Sequence, residues 1–354
     1  TLTVTASEDE VVVTIVGRNA TVTYDGSEHT VTGYDVISIT MAGKETELYK
    51  EKDFRLKGTA AVSGKDVKVS TGTEAGANRY MMGLTADKFE NINSDFTKVT
   101  FVVSDGYLQI DPRPVTLTSG SARRQYNGEA LTNGTVTVGG EGFAEGEGAA
   151  CDVTGSQTDV GKSANTFTYT LNSNTKADNY TITPSYGELE ITPVDTEVVV
   201  TIKGKTGNVK YDGTEHTVAG YTVESITMGG ADYGLYKASD FGLKEGKEAK
   251  ASGTDAGTYP MNLTAGDFEN TNRNFTNVKF VVTDGSLTIT KRKVTLTSGS
   301  QEKVYDGTAL TNSEMTVGEE DGFAAGEGAT YDVTGSQLNV GESKNTFTYK
   351  LNEG

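Results

Sequence analysis

The sequence predicts an all-β protein of tandem β-sandwich modules, and three observations carry that expectation. The stretch Tyr24-Asp25-Gly26-Ser27-Glu28-His29-Thr30-Val31-Thr32-Gly33-Tyr34 recurs as Tyr211-Asp212-Gly213-Thr214-Glu215-His216-Thr217-Val218-Ala219-Gly220-Tyr221, with weaker copies from Tyr126-Asn127-Gly128 and Tyr305-Asp306-Gly307. Such repetition marks a duplicated unit. The chain holds 43 glycines but 5 prolines and no tryptophan, with Thr and Val throughout, the make-up of short strands joined by tight turns. Apolar residues also alternate, as in Val99, Phe101, Val103 and then Leu108, Ile110, which turns one face of each strand toward a core.

The 354 residues suit two to four domains of roughly 100 residues each. A net charge of -18 disfavours phosphate backbones and anionic bilayers as partners, so neither nucleic acid nor membrane insertion is expected. Cys151 is the one cysteine and closes no intrachain disulfide; its counterpart in the second half is Tyr331, which marks it as a space-filling residue rather than a nucleophile. A low cysteine count fits both the cytosol and many exported bacterial proteins. The N-terminus carries no signal core, so any export leader lies outside this stretch.

Taken in order, residues 1–7 read as the last strand of a preceding module, because Leu2 to Ile15 matches Leu189 to Ile202 at a constant offset of 187. Residues 8–111 form a longer module of type A. Val11 to Val16 is a strand, Val22-Thr23-Tyr24 turns through Asp25-Gly26 into His29-Thr30-Val31 as a hairpin, and Val36 to Met41 follows. Leu48 to Phe54 reads as one helical turn or an irregular loop. Tyr80 to Leu84, Lys98 to Ser104 and Tyr107 to Ile110 are strands, with Asp105-Gly106 turning the last pair.

Pro112-Arg113-Pro114 is a stiff joint opening a shorter module of type B over residues 112–193. A second A module covers 194–290 and a second B module 291–354, the latter with no counterpart of Asn179 to Thr192. The second A copy is eight residues shorter between Phe241 and Tyr259 than the first between Phe54 and Tyr80, a length change expected of a surface loop. The expected whole is an extended A-B-A-B array. The paired cysteines and core tryptophan of immunoglobulin domains are absent, so Ig-like describes the architecture alone.

The phrases Tyr-Asp-Gly-x-Glu-His-Thr-Val-x-Gly-Tyr, Asp255-Ala256-Gly257-Thr258-Tyr259, Phe268-Glu269-Asn270 with Asn274-Phe275, and Val281-Val282-Thr283-Asp284-Gly285 resemble the tandem MBG and YDG type repeats of bacterial cell-surface proteins. Those repeats are common in large wall-anchored proteins of gut Gram-positive bacteria. The resemblance covers nearly the whole chain, and its motifs are specific as a set. It implies an extracellular β-sandwich repeat from a stalk or adhesin, anchored to the cell wall through other regions, with no shared catalytic residues to carry over. The first A module departs from it at Glu74-Ala75-Gly76-Ala77-Asn78-Arg79-Tyr80.

Chemistry is otherwise hard to find. His29 and His216 hold the same repeat position in separate modules and read as structural rather than as a catalytic pair. No His or Cys spacing suits zinc, and no glycine cluster leads from a strand into a helix with Gly-Lys-Ser. No catalytic, cofactor-binding or metal-binding residue is therefore assigned, and no enzyme is expected. The acidic glycine loops from Glu141 to Glu147 and from Glu319 to Glu327 are the places where Ca²⁺ would find oxygens. Two readings stand beside the stalk. One is binding of a glycan or host protein through the loop Ser63 to Asn78, where the A copies differ. The other is head-to-tail self-association by strand complementation.

Overall fold

The computed structural model describes residues 1–70, 77–318 and 322–353. These residues are all-β: strands alternate with 3-10 turns such as Glu51–Asp53 and Ala86–Lys88, without an α-helix. No helix among them is long and apolar enough to cross a membrane. The chain forms two compact units, one of Thr1–Arg124 with Glu129–Thr192, the other of Gln125–Gly128 with Pro193–Gly354.

In the first unit the strand Val11–Gly17 alternates buried and half-buried residues along its length, because side chains on a strand point to opposite faces in turn. Val11, Val13 and Ile15 are fully buried. The strand pairs antiparallel with Tyr34–Met41 and parallel with Val99–Ser104. The parallel pairing then continues: Val11 faces Val99, and Asn19–Thr23 faces Tyr107–Asp111 in the same register, each partner 88 residues further on (99 minus 11; 111 minus 23). Two strands thus run side by side and change sheets together. They cross at Gly17 and Gly106, where a Cβ on Gly17 would stand 2.3 Å from the Gly106 nitrogen. Only two glycines allow backbones that close.

This crossing corrects two expectations. Asp105-Gly106 does not turn a hairpin; the chain runs straight on into the second sheet. The Asp105 carboxylate instead accepts the amides of Gly83, Leu84 and Gly106 at 2.7–2.8 Å. Asp25-Gly26 does turn the chain, with Gly26 at φ +82° and the Ser27 amide donating to Asp25 Oδ1 at 2.8 Å. The strands on either side find other partners, however: Asn19–Thr23 joins Tyr107–Asp111, and His29–Thr32 joins Ala61–Gly64. A turn signal reports local φ; which strand the chain then joins is settled by the core.

Other expectations hold in part. The uncertain stretch before Phe54 is the 3-10 turn Glu51–Asp53, and Tyr80 to Leu84 shrinks to the strand Tyr80–Met81. Residues 1–5 lie in no strand, with Leu2 and Val4 fully exposed. The length change between the A copies has two parts. His29 faces Gly64 and His216 faces Gly253, so the second copy is two residues longer before that strand's end and ten shorter after it. Residues 71–76 of that loop, and Glu319, Glu320 and Asp321 of the second acidic loop, lie outside the described residues.

The rest of the first unit is built on Arg113–Ser119. This strand lies between Val136–Gly140, antiparallel, and Tyr180–Ser185, parallel. Glu188–Thr192 lies between Ala122–Gln125 and Gly161–Ala164. Val115, Leu117, Phe167 and Tyr180 join Val11, Ile15 and Leu108 in one continuous core.

The second unit repeats the A pattern. Val198–Gly204 pairs parallel with Val278–Thr283, and Thr206–Lys210 with Ser286–Thr290, at a constant spacing of 80 (278 minus 198; 290 minus 210). Its core gathers Val198, Val200, Ile202, Phe241, Leu287 and Ile289. Tyr126, which belongs to this unit, sets its ring edge-on to Phe275 at 5.7 Å. Further along, Leu296–Ser298 pairs with Met315–Val317 and Ala329–Val333 with Phe347–Leu351. Val294, Leu296 and Phe347 are only half-buried there, whereas their counterparts Val115, Leu117 and Phe167 are buried.

Candidate functional site

The repeated Tyr-Asp-Gly stretch makes one local structure in both A copies. Asp25 Oδ1 takes the Ser27 amide and lies 3.0 Å from His29 Nε2; Asp212 Oδ1 takes the Thr214 amide and hydroxyl and lies 2.9 Å from His216 Nε2. These donors hold both carboxyls below the usual range, the Ser27 amide first for Asp25 and the Thr214 hydroxyl first for Asp212, which falls to about 2. Each histidine therefore clasps its own turn, and the two lie in different units. The sequence reading of them as structural agrees with this placement.

The other recurrent phrases are clasps too. Asn91 Nδ2 donates to the carbonyls of Asn93 and Phe96 at 3.0 and 2.8 Å, and Asn270 does the same for Asn272 and Phe275 at 3.1 and 2.7 Å. The buried Tyr49 hydroxyl lies 2.9 Å from Asn91 Oδ1 and that of Tyr236 lies 2.9 Å from Asn270 Oδ1. A buried hydroxyl without a partner is costly, so these asparagines are retained by the fold itself.

The tyrosine of the turn does something less local. Tyr24 is buried and stands edge-on to Tyr180, ring centroids 5.5 Å apart, while Phe143 meets the Tyr180 ring at 5.1 Å. Both hydroxyls donate to one carboxylate: Tyr24 to Glu147 Oε1 at 2.5 Å and Tyr180 to Glu147 Oε2 at 2.7 Å. The Ala144 amide donates to the Tyr180 hydroxyl at 2.9 Å. Burial first, then Glu147, pushes both phenols up, Tyr180 to about 12. Both phenols therefore stay protonated near neutrality.

Two further contacts tie the A and B stretches of this unit. Arg113, at the expected stiff joint, donates to the carbonyls of Tyr24, Glu141 and Gly142 at 3.2, 2.6 and 2.7 Å. Asn179 accepts the Val67 amide at 2.8 Å and donates to Asp66 Oδ1 at 2.9 Å, with Lys176 on Asp66 Oδ2. Sequence reasoning missed Asn179 and Lys176, which have no duplicate in the chain to compare. It also placed Glu147 in a loop suited to calcium, yet its carboxylate is engaged by two tyrosines. Among the described residues no group of three or more His, Cys, Asp or Glu side chains is placed to hold a metal ion.

In the second unit Tyr211 donates to Glu327, and Arg292 donates to the carbonyls of Tyr211 and Gly322 at 3.3 and 2.8 Å. Beside them runs a groove of about 670 Å³, floored by Val294, Leu296 and Phe347 and edged by Asp255, Phe323 and Glu327. Cys151 is half-buried opposite Tyr169, and burial pushes its thiol up, which suits filling space and not nucleophilic attack.

No match was found among curated proteins. Among solved structures, the N-terminal eight Ig domains of Down Syndrome Cell Adhesion Molecule isoform 1.30.30 align at 10% identity and a TM-score of 0.15, over 96% of this chain and 50% of that one. The I9–I11 tandem of titin aligns at 11% identity and 0.15, over 79% and 99%. The chain thus spans half the length of the first, and the fold rests on its own strand pairing rather than on either superposition. Residues 198–291 match the family model described as MBG domain.

Proposed function

We propose that this chain is a non-catalytic, load-bearing stretch of an extracellular bacterial surface protein, a stalk or adhesin segment held to the cell wall by other regions. One observation carries the proposal. In each A stretch and in the first B stretch, the first long strand pairs in parallel with one near the end: Val11–Gly17 with Val99–Ser104, Arg113–Ser119 with Tyr180–Ser185, and Val198–Gly204 with Val278–Thr283. Tension applied through the chain pulls such a pair at opposite ends. All the ladder bonds are then loaded in shear at once, and none can open before its neighbours. This arrangement suits a tether. The family match of residues 198–291 supports the same reading.

The test is single-molecule stretching of the chain held by its two ends, because forced unfolding reports the barrier to unfolding directly. Both units are expected to hold and then fail abruptly, each in a high-force step. Gradual extension at low force overturns the load-bearing role. The same chain raised as an antigen should label intact cells of the source organism without permeabilisation.

Binding of a glycan or host protein through Ser63 to Asn78 gains less support, since Asp66 and Val67 of that loop are engaged by Lys176 and Asn179.

A further inference from the structure

The first A stretch carries, on one sheet face, a set of side chains that its duplicate lacks. Along Tyr107–Asp111 the residues Leu108 and Ile110 are buried in the core, so Tyr107, Gln109 and Asp111 turn to the opposite face. The neighbouring strands extend that face. Asn19, Thr21 and Thr23 stand in register with Tyr107, Gln109 and Asp111, and Met81 stands in register with Tyr107. Asn19, Thr21, Thr23 and Met81 are exposed, while Tyr107, Gln109, Asp111 and Arg79 are half-buried.

These side chains are joined in a row. Gln109 Nε2 donates to Asp111 Oδ1 at 2.7 Å, and Gln109 Oε1 accepts Arg79 Nε at 3.1 Å. The Arg79 guanidinium lies over the Tyr107 ring, 3.9 Å from its centroid, where the ring's quadrupole attracts it. Asn19 Oδ1 takes the Tyr107 amide at 2.9 Å. In the second A stretch the corresponding residues are Thr258 for Arg79, Ser286 for Tyr107, Thr288 for Gln109 and Thr290 for Asp111. Thr206–Lys210, Ser286–Thr290 and Gly257–Pro260 nevertheless form the same three-stranded sheet. Small hydroxyl side chains thus suffice to build this sheet, and strand pairing does not account for the row.

We infer that this face of the first A stretch binds an uncharged, extended polysaccharide. Arg79 and Asp111 carry opposite charges within one hydrogen-bonded row, so the face as a whole favours neither an anion nor a cation. What it offers is a set of donors and acceptors on planar groups, and a hydroxyl can meet either because it both donates and accepts. Side chains already held by one another lose little freedom on binding. Met81 and the edge of the Tyr107 ring set apolar surface beside the polar row, the combination found in small-molecule sites. Neighbouring strands lie about 4.8 Å apart, near the length of one sugar in an extended β-linked chain, so a glycan crossing the strands meets a new strand with each sugar. The face is made by strands and Arg79 rather than by the loop Ser63 to Asn78, and the inference does not depend on the load-bearing role.

The whole chain is to be run through native gels cast with hydroxyethyl cellulose, glucomannan or mixed-linkage β-glucan, with dextran sulfate as the charged comparison. Retardation is expected in at least one of the uncharged gels and not in dextran sulfate. Giving the first stretch its duplicate's residues, Arg79→Thr, Tyr107→Ser, Gln109→Thr and Asp111→Thr together, should weaken binding by about tenfold or more, the scale of one hydrogen bond to a charged group. The reverse exchange, Thr258→Arg with Ser286→Tyr, Thr288→Gln and Thr290→Asp, should add a second binding face and strengthen retardation, which keeps the test decisive should the first variant misfold. No retardation in any uncharged gel, equal or stronger retardation in dextran sulfate, or equal retardation of the parent and a folded first variant overturns the inference.

Discussion

Tyr24 and Tyr180 lie 156 residues apart in the chain (180 minus 24), yet their rings meet edge to face at 81° and their hydroxyls share the two oxygens of Glu147. One carboxylate thereby joins the turn of an A stretch to a strand of the B stretch after it. The second unit repeats half of this clasp, Tyr211 on Glu327.

Glu147→Ala removes the acceptor of two phenols at once. Hydrogen bonds to a charged group contribute about 2 kcal/mol each, but exposure of the site discounts the pair to about 2 kcal/mol in all. For a unit of this size that corresponds to roughly 4–8 °C. Differential scanning calorimetry should show the first unit's transition falling by this amount, with the second unit as internal reference. Glu147→Gln, which keeps an acceptor, should cost less.

Gly17→Ala tests the strand crossing. Its Cβ would meet Gly106 backbone atoms at 2.3 and 2.6 Å, and no side chain is there to move aside, so a loss of about 3 kcal/mol is expected. Gly43→Ala adds a Cβ with nothing within 4 Å and, despite its positive φ, should cost clearly less. Denaturant midpoints of the two variants give the comparison.

Acid should weaken the Tyr-Asp-Gly turns. The folded-state pKa of Asp212 is depressed from 3.8 to about 2, so its contribution is present above the unfolded value and is lost as pH falls from about 4 through about 2. Melting temperature plotted against pH should therefore drop less steeply over that window in Asp212→Asn than in the parent. An unchanged slope would mean that the turn carboxylate adds nothing.

Alkali should act at the tyrosines. Tyr180 and Tyr49 titrate at about 12 in the folded chain, each raised first by burial. Their contribution is complete below the unfolded value near 10 and is lost as pH rises through about 12. Absorbance titration at 295 nm should resolve a delayed group of phenolates, which merges with the rest in denaturant.

Much of the fold was legible beforehand because it depends on local rules. Alternation marked Val99, Phe101 and Val103 on one face, and the doubled Tyr-Asp-Gly marked the repeat. The phrase Phe-Glu-Asn was visible as a phrase, but its purpose, an asparagine tying down two carbonyls, was not. Glu147 was visible as an acid in a glycine loop, and only the arrival of Tyr24 and Tyr180 distinguishes it from a solvated side chain. His29 and His216 were read as structural because duplication separated them, and the Asp partner of each, Asp25 or Asp212, lies four residues away, within reach of sequence reasoning.

The sequence by itself determined the class of fold and the repeat, since period-two alternation, glycine turns and duplication are all read within a short window. Tertiary structure alone decided which strands pair, that Asp105-Gly106 carries a strand onward between sheets, and that the A and B stretches of the first unit share one core. The physical reason is distance along the chain. A turn residue constrains its own dihedrals, whereas pairing Val11 with Val99 or closing Tyr24 onto Glu147 depends on burying apolar surface and satisfying buried polar groups contributed by segments far apart, and no local pattern encodes that choice.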